Sequence, residues 1–298
     1  MKRETRLLDG SGQSLRSAGF SHHSFSNYCY IDYRNTADGD NKRTAKYGKV
    51  YLVGAGPNDP DLLTVKAFKV IQQAEVIVFD RLVNREILEF SSSTCQHIYV
   101  GKRCGKPSLK QQEISQILVE FAKQGKQVVR LKGGDPFIFG RGGEEGLLLA
   151  KHGIEFEVIP GITAAIGCAA SAKIPLTHRE LARSVTFVTG QVVTGALPAW
   201  SQLVGSGQTL VFYMGLEKAQ DIQQGLLKHG LRGDFPLAII THGCSRQQKV
   251  HISSLESLTS KANELKGVSP ALIILGEVVK LREELEKTVE SVNSQEVV

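Results

Sequence analysis

From Lys49 to Leu275 short apolar runs alternate with amphipathic ones, and that alternation sets the expected architecture. KVYLVGAG is a continuous apolar run that ends in glycines, the pattern of a strand buried on both faces. EVIVFD (75–80), HIYVGK (97–102), KQVVRLKGG (126–134) and the shorter FEVIP (156–160) repeat it. Helical segments separate these strands. In DPDLLTVKAFKVIQQA, Asp59 stands where a cap belongs and Pro60 at the first helical position. LKQQEISQILVEFAKQG carries apolar residues at helical spacing and closes on Gly125. Strand–helix–strand alternation predicts a mainly parallel sheet covered by helices, with ligands gathering at the carboxyl ends of its strands.

Pro160-Gly161 interrupts the alternation, and small residues from Ile162 to Ala172 predict a tightly packed linking helix. Five more strands follow: SVTFVTG (184–190), QTLVFYMG (208–215), PLAIITHG (236–243), KVHISSL (249–255) and ALIILG (271–276). A helix is expected over Glu217–His229, and KVHISSL is expected to pair antiparallel. The predicted fold class is therefore α/β, with two α/β domains at 47–165 and 166–285. The first sheet is mainly parallel, the second mixed, and an active-site cleft is expected between the domains. Residues 1–46 show neither apolar period and are read as a disordered extension, because without an apolar face they cannot offset their ordering entropy. They lack the apolar core of a secretory signal, and Glu4, Asp9, Asp32, Asp38 and Asp40 suit an organelle transit peptide poorly. An unusual extension or a misplaced start codon accounts for them better. From Arg282 the chain turns polar and is expected to fray, with 286–298 a polar tail.

Composition narrows the function class. The 298 residues are 41% hydrophobic, enough for a core, and no apolar run reaches the length of a membrane span. The five cysteines are scattered without CxxC spacing, which argues against a disulfide framework and fits a reducing cytoplasm. Eight histidines without HxH or HExxH spacing predict no metal site. Net charge is +6 without a long basic run, which suits a polyanionic small substrate better than nucleic acid.

Candidate chemistry concentrates in VVRLKGGDPFIFGRGGEE (128–145). Glycine at this density lets backbone approach a ligand, Asp135 supplies a carboxylate, and Phe137, Ile138 and Phe139 supply apolar wall. Backbone groups at Gly133 and Gly134 can bond an amine and a carboxylate, while Asp135 attracts positive charge. The GAGP loop (54–57) lacks the further glycine of a dinucleotide fingerprint, having Asn58-Asp59-Pro60 where the helix opens. With Asp80 in range of a ribose, nicotinamide binding stays open on motif logic alone. Asp80 and Lys102 end neighbouring strands and can serve either as base and acid or as a clamp on substrate carboxylates. Arg130, Arg179 and Arg183 read as ordinary solvated charges, and His178-Arg179 forms a second candidate cluster.

Seven blocks in register carry a family resemblance: VGAGPNDPDLLT (53–64), FDRLV (79–83), VGKR (100–103), LKGGDPFIFGRG (131–142), PGITAA (160–165), IPLTHR (174–179) and VFYMG (211–215). From about Gly48 to about Leu285 the chain resembles the tetrapyrrole methylases, and within them the C-methyltransferases of uroporphyrinogen III. The resemblance implies methyl transfer from S-adenosylmethionine to two pyrrole rings, giving precorrin-2 for sirohaem or cobalamin synthesis, in a cytoplasmic homodimer without metal. It implies Asp80 as proton acceptor and Lys102 as proton donor. It places Pro57, Gly133, Gly134, Asp135, Ile138, Thr163, Ala164, Met214 and Gly243 on S-adenosylmethionine. Uroporphyrinogen carries eight carboxylates, so Arg81, Arg103 and Arg141 are expected to bind substrate. Asn58 stands where the family has glycine, but asparagine also tolerates left-handed backbone. Pro107, Ser115 and Thr241-His242 depart from the pattern as well. No dehydrogenase or chelatase domain is expected in front, residues 1–46 being too short. A sister methylase acting on a later corrin precursor, or more remotely an RNA methylase of the superfamily, is the alternative.

Overall fold

A computed structural model of the chain describes residues 47–101, 109–191, 200–205 and 207–293, without the side chains of 288–293. The expectations for residues 1–46, for Lys102, Arg103 and Pro107, and for the last five positions fall outside the described residues. The chain divides into two compact units. The described residues of the first fall within Met1–Val53, Val65–Lys132 and Gly142–Ile159; those of the second fall within Gly54–Thr64, Gly133–Arg141 and Pro160–Val298.

The first unit is built on a parallel sheet of β1 (Val50–Gly54), β2 (Val76–Phe79), β3 (Gln96–Tyr99), β4 (Val128–Lys132) and β5 (Phe156–Ile159), in the order β3-β2-β4-β1-β5. Helices α1 (Val65–Gln72), α2 (Gln111–Lys123) and α3 (Gly142–Lys151) belong to it. β2 and β4 are buried at every position, which is why they read as unbroken apolar runs rather than as alternation. α2 turns Ile114, Ile117, Leu118, Phe121 and Ala122 inward, the i, i+3, i+4 stripe, against Val50, Val76, Val78 and Val128. It starts where the Glu113 carboxylate takes the Lys110 amide at 2.6 Å and ends before Gly125, whose φ of +79° only glycine adopts easily.

The single helix expected from Asp59 is instead two pieces. Asp59 Oδ1 does cap the turn, accepting from the Asp61 amide at 3.0 Å, but the turn is a 3₁₀ one over Pro60–Leu62. Leu63 then returns to extended backbone (φ −66°, ψ 141°), so α1 has to start afresh at Val65.

In the second unit, β6 (Ser184–Thr189), β7 (Gln208–Tyr213), β8 (Pro236–Thr241), β9 (Lys249–Ser254) and β10 (Ala271–Leu275) form a mixed sheet ordered β6-β7-β10-β8-β9. β6 and β7 are parallel, while the β7–β10, β10–β8 and β8–β9 pairs are antiparallel. Its helices are α4 (Ala164–Ser171), α5 (Trp200–Leu203), α6 (Ala219–Lys228), α7 (Leu258–Glu264) and α8 (Leu281–Asn293). Alternate residues serve separate cores. Phe212, Ile239 and Ile273 pack with Ile222 and Leu226 of α6 and Leu258 of α7, whereas Val211, Ile240 and Ile274 pack with Ala165, Cys168 and Ala169 of α4. The segment expected to fray from Arg282 is helical to Asn293. Pairs at i, i+4, Arg282–Glu286 at 2.7 Å and Glu283–Lys287 at 2.6 Å, support it, and the Arg282 guanidinium also reaches the Ala172 carbonyl. No described helix is long and apolar enough to cross a membrane.

Candidate active site

Three strand exits of the first sheet lead into loops that belong to the second unit, and there their backbones close on one another. Gly56 and Gly134 exchange amide hydrogen bonds of 3.2 and 2.7 Å, with φ of +74° and +71°. A Cβ built on Gly54 would lie 2.5 Å from the Gly161 nitrogen and 2.6 Å from the Gly134 oxygen, so no side chain fits there. Asp135 locks the arrangement. Its Oδ1 accepts from the Phe137 amide at 2.8 Å and its Oδ2 from the Gly161 amide at 3.1 Å, leaving the other lone pairs free to meet a cation.

The loop after Gly161 is held by Tyr213, at the end of β7. The Ala165 amide donates to the Tyr213 hydroxyl at 2.9 Å, and the buried Thr163 Oγ1 lies 2.7 Å from the same oxygen. The oxygen that accepts this amide also shares a hydrogen bond with Thr163, in which either hydroxyl can be the donor. Burial pushes the Tyr213 phenol above its ordinary range, outweighing the bonds from Thr163 and Ala165, so it stays neutral and able to donate. Its ring meets Phe139 at 5.0 Å and Phe187 at 5.9 Å between centroids. Met214 follows with a left-handed φ of 52° and, at 45% exposed, is not a core residue. A Cβ on Gly167 of α4 would collide with the Pro57 ring, and one on Gly243 with the Cys168 sulfur. Pro57, Gly133–Asp135, Thr163, Ala164, Met214 and Gly243 are thus connected by contacts through α4, Gly161 and Tyr213.

Backbone strain marks the same loops. Asn58, Phe139, Arg141, Met214, His242 and Cys244 all have positive φ, between 50° and 117°. Each such residue costs of order 1–3 kcal/mol and persists only where its surroundings impose it. Phe137 and Ile138 remain exposed at 57% and 36%. Bare backbone, one carboxylate and exposed apolar side chains thus meet on these loops.

Asp80 and Arg81 belong to the first unit. Asp80 Oδ1 accepts from the Leu82 amide at 3.1 Å and Oδ2 from Arg130 Nη2 at 3.2 Å. Arg130 is not the solvated charge its sequence context suggests. It is 3% exposed, donates Nε to Glu145 Oε1 at 3.0 Å, and gives Nη1 to the Val78 and Leu131 carbonyls at 3.3 and 3.0 Å. Lys132 Nζ at 3.2 Å and Gln111 Nε2 at 2.9 Å reach the same Glu145 oxygen. Burial alone would raise the Glu145 carboxyl, but the Arg130 and Lys132 charges hold it below the usual carboxylate range. Burial together with the Arg130 charge pulls the Lys132 ammonium below the usual lysine range. Lys102 and Arg103 lie outside the described residues, so the Asp80–Lys102 arrangement does too. Arg81 and Arg141 are exposed, as are His178 and Arg179 in a turn closed by the His178–Ala182 bridge. Among the described residues no cluster of three or more His, Cys, Asp or Glu could hold a metal.

Tyr213 and Glu145 escape sequence reading. Tyr213 sits inside an apolar strand run and looks like sheet core. Glu145 follows glycines at a helix start, where an acid commonly complements the helix dipole in solvent.

The chain matches the profile of the family Tetrapyrrole (Corrin/Porphyrin) Methylases over residues 49–259. Siroheme synthase from Pseudomonas fluorescens is 54% identical over 250 residues, covering 83% of this chain and 53% of that protein. The siroheme synthase of Saccharophagus degradans is 51% identical over 247 residues, covering 83% and 54%. The chain therefore spans about half the length of the curated relatives it matches. Uroporphyrin III C-methyl transferase from Thermus thermophilus superposes with a TM-score of 0.68 at 40% identity, covering 78% of this chain and 100% of that one. The same enzyme complexed with S-adenyl homocysteine gives 0.68 at 37% identity, covering 78% and 94%. The glycine loops that converge on Asp135 fall within the matched region, and this chain belongs to the tetrapyrrole methylases.

Proposed function

We propose that this protein methylates uroporphyrinogen III on two pyrrole carbons with S-adenosylmethionine, giving precorrin-2. The observation that carries the reading is the cradle of Gly54, Gly134 and Gly161 tied by Asp135, in a chain similar to an enzyme solved with S-adenyl homocysteine. S-adenosylmethionine supplies, when bound, an electrophilic methyl group on a sulfonium. In this reading Gly133 and Gly134 offer backbone to its amino-acid end, and Asp135 offers charge opposite its cations. Pro57, Ile138, Thr163, Ala164, Met214 and Gly243 line the rest. A substrate carbon of an electron-rich pyrrole needs alignment more than activation, so the residues act mainly by fixing geometry and excluding water. Asp80 accepts the proton that the substrate releases, from a position other than the newly quaternary carbon, after methyl transfer, and Lys102 serves as proton donor or as a clamp on a substrate carboxylate. Arg81, Arg103 and Arg141 bind substrate carboxylates, a task for which guanidinium forks suit.

Along the sequence the proposed domains are 47–165 and 166–285, with 1–46 an extension, although Gly54–Thr64 and Gly133–Arg141 group with the second compact unit. The product would pass to sirohaem synthesis, in keeping with the name of the relatives, or to cobalamin synthesis. The protein would work in the cytoplasm as a homodimer, and sedimentation giving only monomer across micromolar concentrations would exclude the dimer. The activity is tested by anaerobic incubation with uroporphyrinogen III and labelled S-adenosylmethionine, followed by mass analysis of the oxidised products. A singly methylated species should precede one with two added methyl groups. Binding of S-adenosylmethionine without methylation of uroporphyrinogen III would transfer the assignment to a methylase of a later corrin precursor.

A further inference from the structure

The charge cluster behind Asp80 has an order that simple fold stabilisation does not require. Buried ion clusters rarely stabilise a fold more than apolar side chains of the same volume would, because desolvation offsets the attraction. This one is arranged along a line. Glu145, fully buried on α3, collects Gln111, Arg130 and Lys132 on the single oxygen Oε1, and its Oε2 has no hydrogen-bond partner. Arg130 gives Nε to Glu145 and Nη1 to two strand carbonyls, so the plane of its guanidinium has no freedom left. What remains, Nη2, is aimed at Asp80 Oδ2 at 3.2 Å. Among its charged members Asp80 alone reaches the surface, its side chain 29% exposed against 3% or 4% for the two cations and 0% for Glu145.

We infer that Glu145 is a positioning residue for Asp80, acting through Arg130. It does two things at once. It orients the fork that fixes one oxygen of Asp80, and it shares the Arg130 charge so that Asp80 is not its sole counterion. The inference rests on the reading that Asp80 takes up the proton released after methyl transfer.

A double-mutant cycle on the full chain separates this from a structural role. The variants are Asp80→Asn, Glu145→Gln and the pair, each assayed for kcat with uroporphyrinogen III and for S-adenosylmethionine affinity by calorimetry. Asp80→Asn should lower kcat about 100-fold, a usual size for loss of a proton acceptor. Glu145→Gln should lower it about tenfold while S-adenosylmethionine affinity changes less than about twofold. In the double variant the Glu145 effect should vanish, kcat matching Asp80→Asn alone. Equal fold-losses from Glu145→Gln with and without the Asp80 carboxylate would overturn the inference and leave the Asp80 reading intact. So would an unchanged kcat in Glu145→Gln. An unchanged kcat in Asp80→Asn would remove the Asp80 reading itself, and the inference with it. Should Glu145→Gln fail to fold, Arg130→Lys keeps the buried charge but loses the fork. It should show the same loss of kcat and the same dependence on Asp80, and additivity there would be equally decisive against the inference.

Discussion

At the scale of residues, Asp135 and Tyr213 do their work through bonds to backbone. From its glycine-rich surroundings Asp135 reads as removable without harm to the fold, since no core cavity would follow. The structure gives it two amide partners, Phe137 and Gly161, on separate loops. Bonds to a charged group are worth about 1.5–3 kcal/mol each, so Asp135→Ala should lower both the melting temperature and S-adenosylmethionine affinity. Asp135→Asn keeps an acceptor for one amide and loses the charge. It should melt closer to the parent while still binding S-adenosylmethionine at least about tenfold more weakly, since 1.4 kcal/mol is a factor of ten. Calorimetric titration beside a thermal melt checks both, and full affinity in Asp135→Asn would remove the charge from the account. Tyr213→Phe keeps the ring against Phe139 and Phe187 but strands the Thr163 hydroxyl and the Ala165 amide. It should cost about 1–3 kcal/mol in denaturant unfolding. Loss of S-adenosylmethionine affinity should accompany it, because the Thr163–Ala164 turn would no longer be held.

At the scale of elements, the cluster joining β2, β4, α2 and α3 makes stability depend on pH in a defined direction. The folded-state pKa of Glu145 is depressed, so the stability it contributes is fully present above the ordinary glutamate value of 4.5. It is lost as pH falls through the lower folded-state value. Denaturant unfolding followed downward from about pH 6 should show the free energy falling through that acid window. In Glu145→Gln the slope there should be shallower, because one proton fewer is taken up on unfolding. Glu75, Glu157 and Glu277 are also depressed, but they sit nearer solvent, where screening leaves exposed pairs little to contribute. An unchanged slope in the variant would place the acid sensitivity elsewhere.

At the scale of the whole molecule, a chain of net charge +6 meets a proposed substrate with eight carboxylates. Long-range attraction of this kind is screened beyond about 10 Å at 0.1 M salt. The KM for uroporphyrinogen III should therefore rise several-fold between about 0.05 and 0.5 M salt, with kcat little altered. S-adenosylmethionine, which lacks that charge, should show a much weaker salt dependence. Steady-state assays at constant pH distinguish the two, and equal salt effects on both ligands would count against a charge-guided substrate site.

What the sequence determined by itself is what depends on local rules. Apolar runs of strand length, separated by helical stripes, were enough for the ten strands of the described residues and their two sheets, since strands buried on both faces such as β2 and β4 read as unbroken apolar runs, and β9 pairs antiparallel as expected. Gly134 was legible as a point of close backbone approach, whereas Gly161 read only as a break in the alternation, and its contact with Gly54 and Gly134 emerged with the fold. Boundaries set by competition were less legible: the 3₁₀ turn at Pro60–Leu62 divides a helix whose periodicity runs on, and ion pairs extend α8 through a segment that reads as fraying. Tertiary structure alone decided which polar groups meet. That Arg130 is buried, that Glu145 gathers three donors on one oxygen, and that Tyr213 ties Thr163 and Ala165 all depend on residues from 13 to 50 positions apart. Hydropathy has a period that local sequence carries, whereas a hydrogen bond across such distances depends on positions that exist only once the chain has folded.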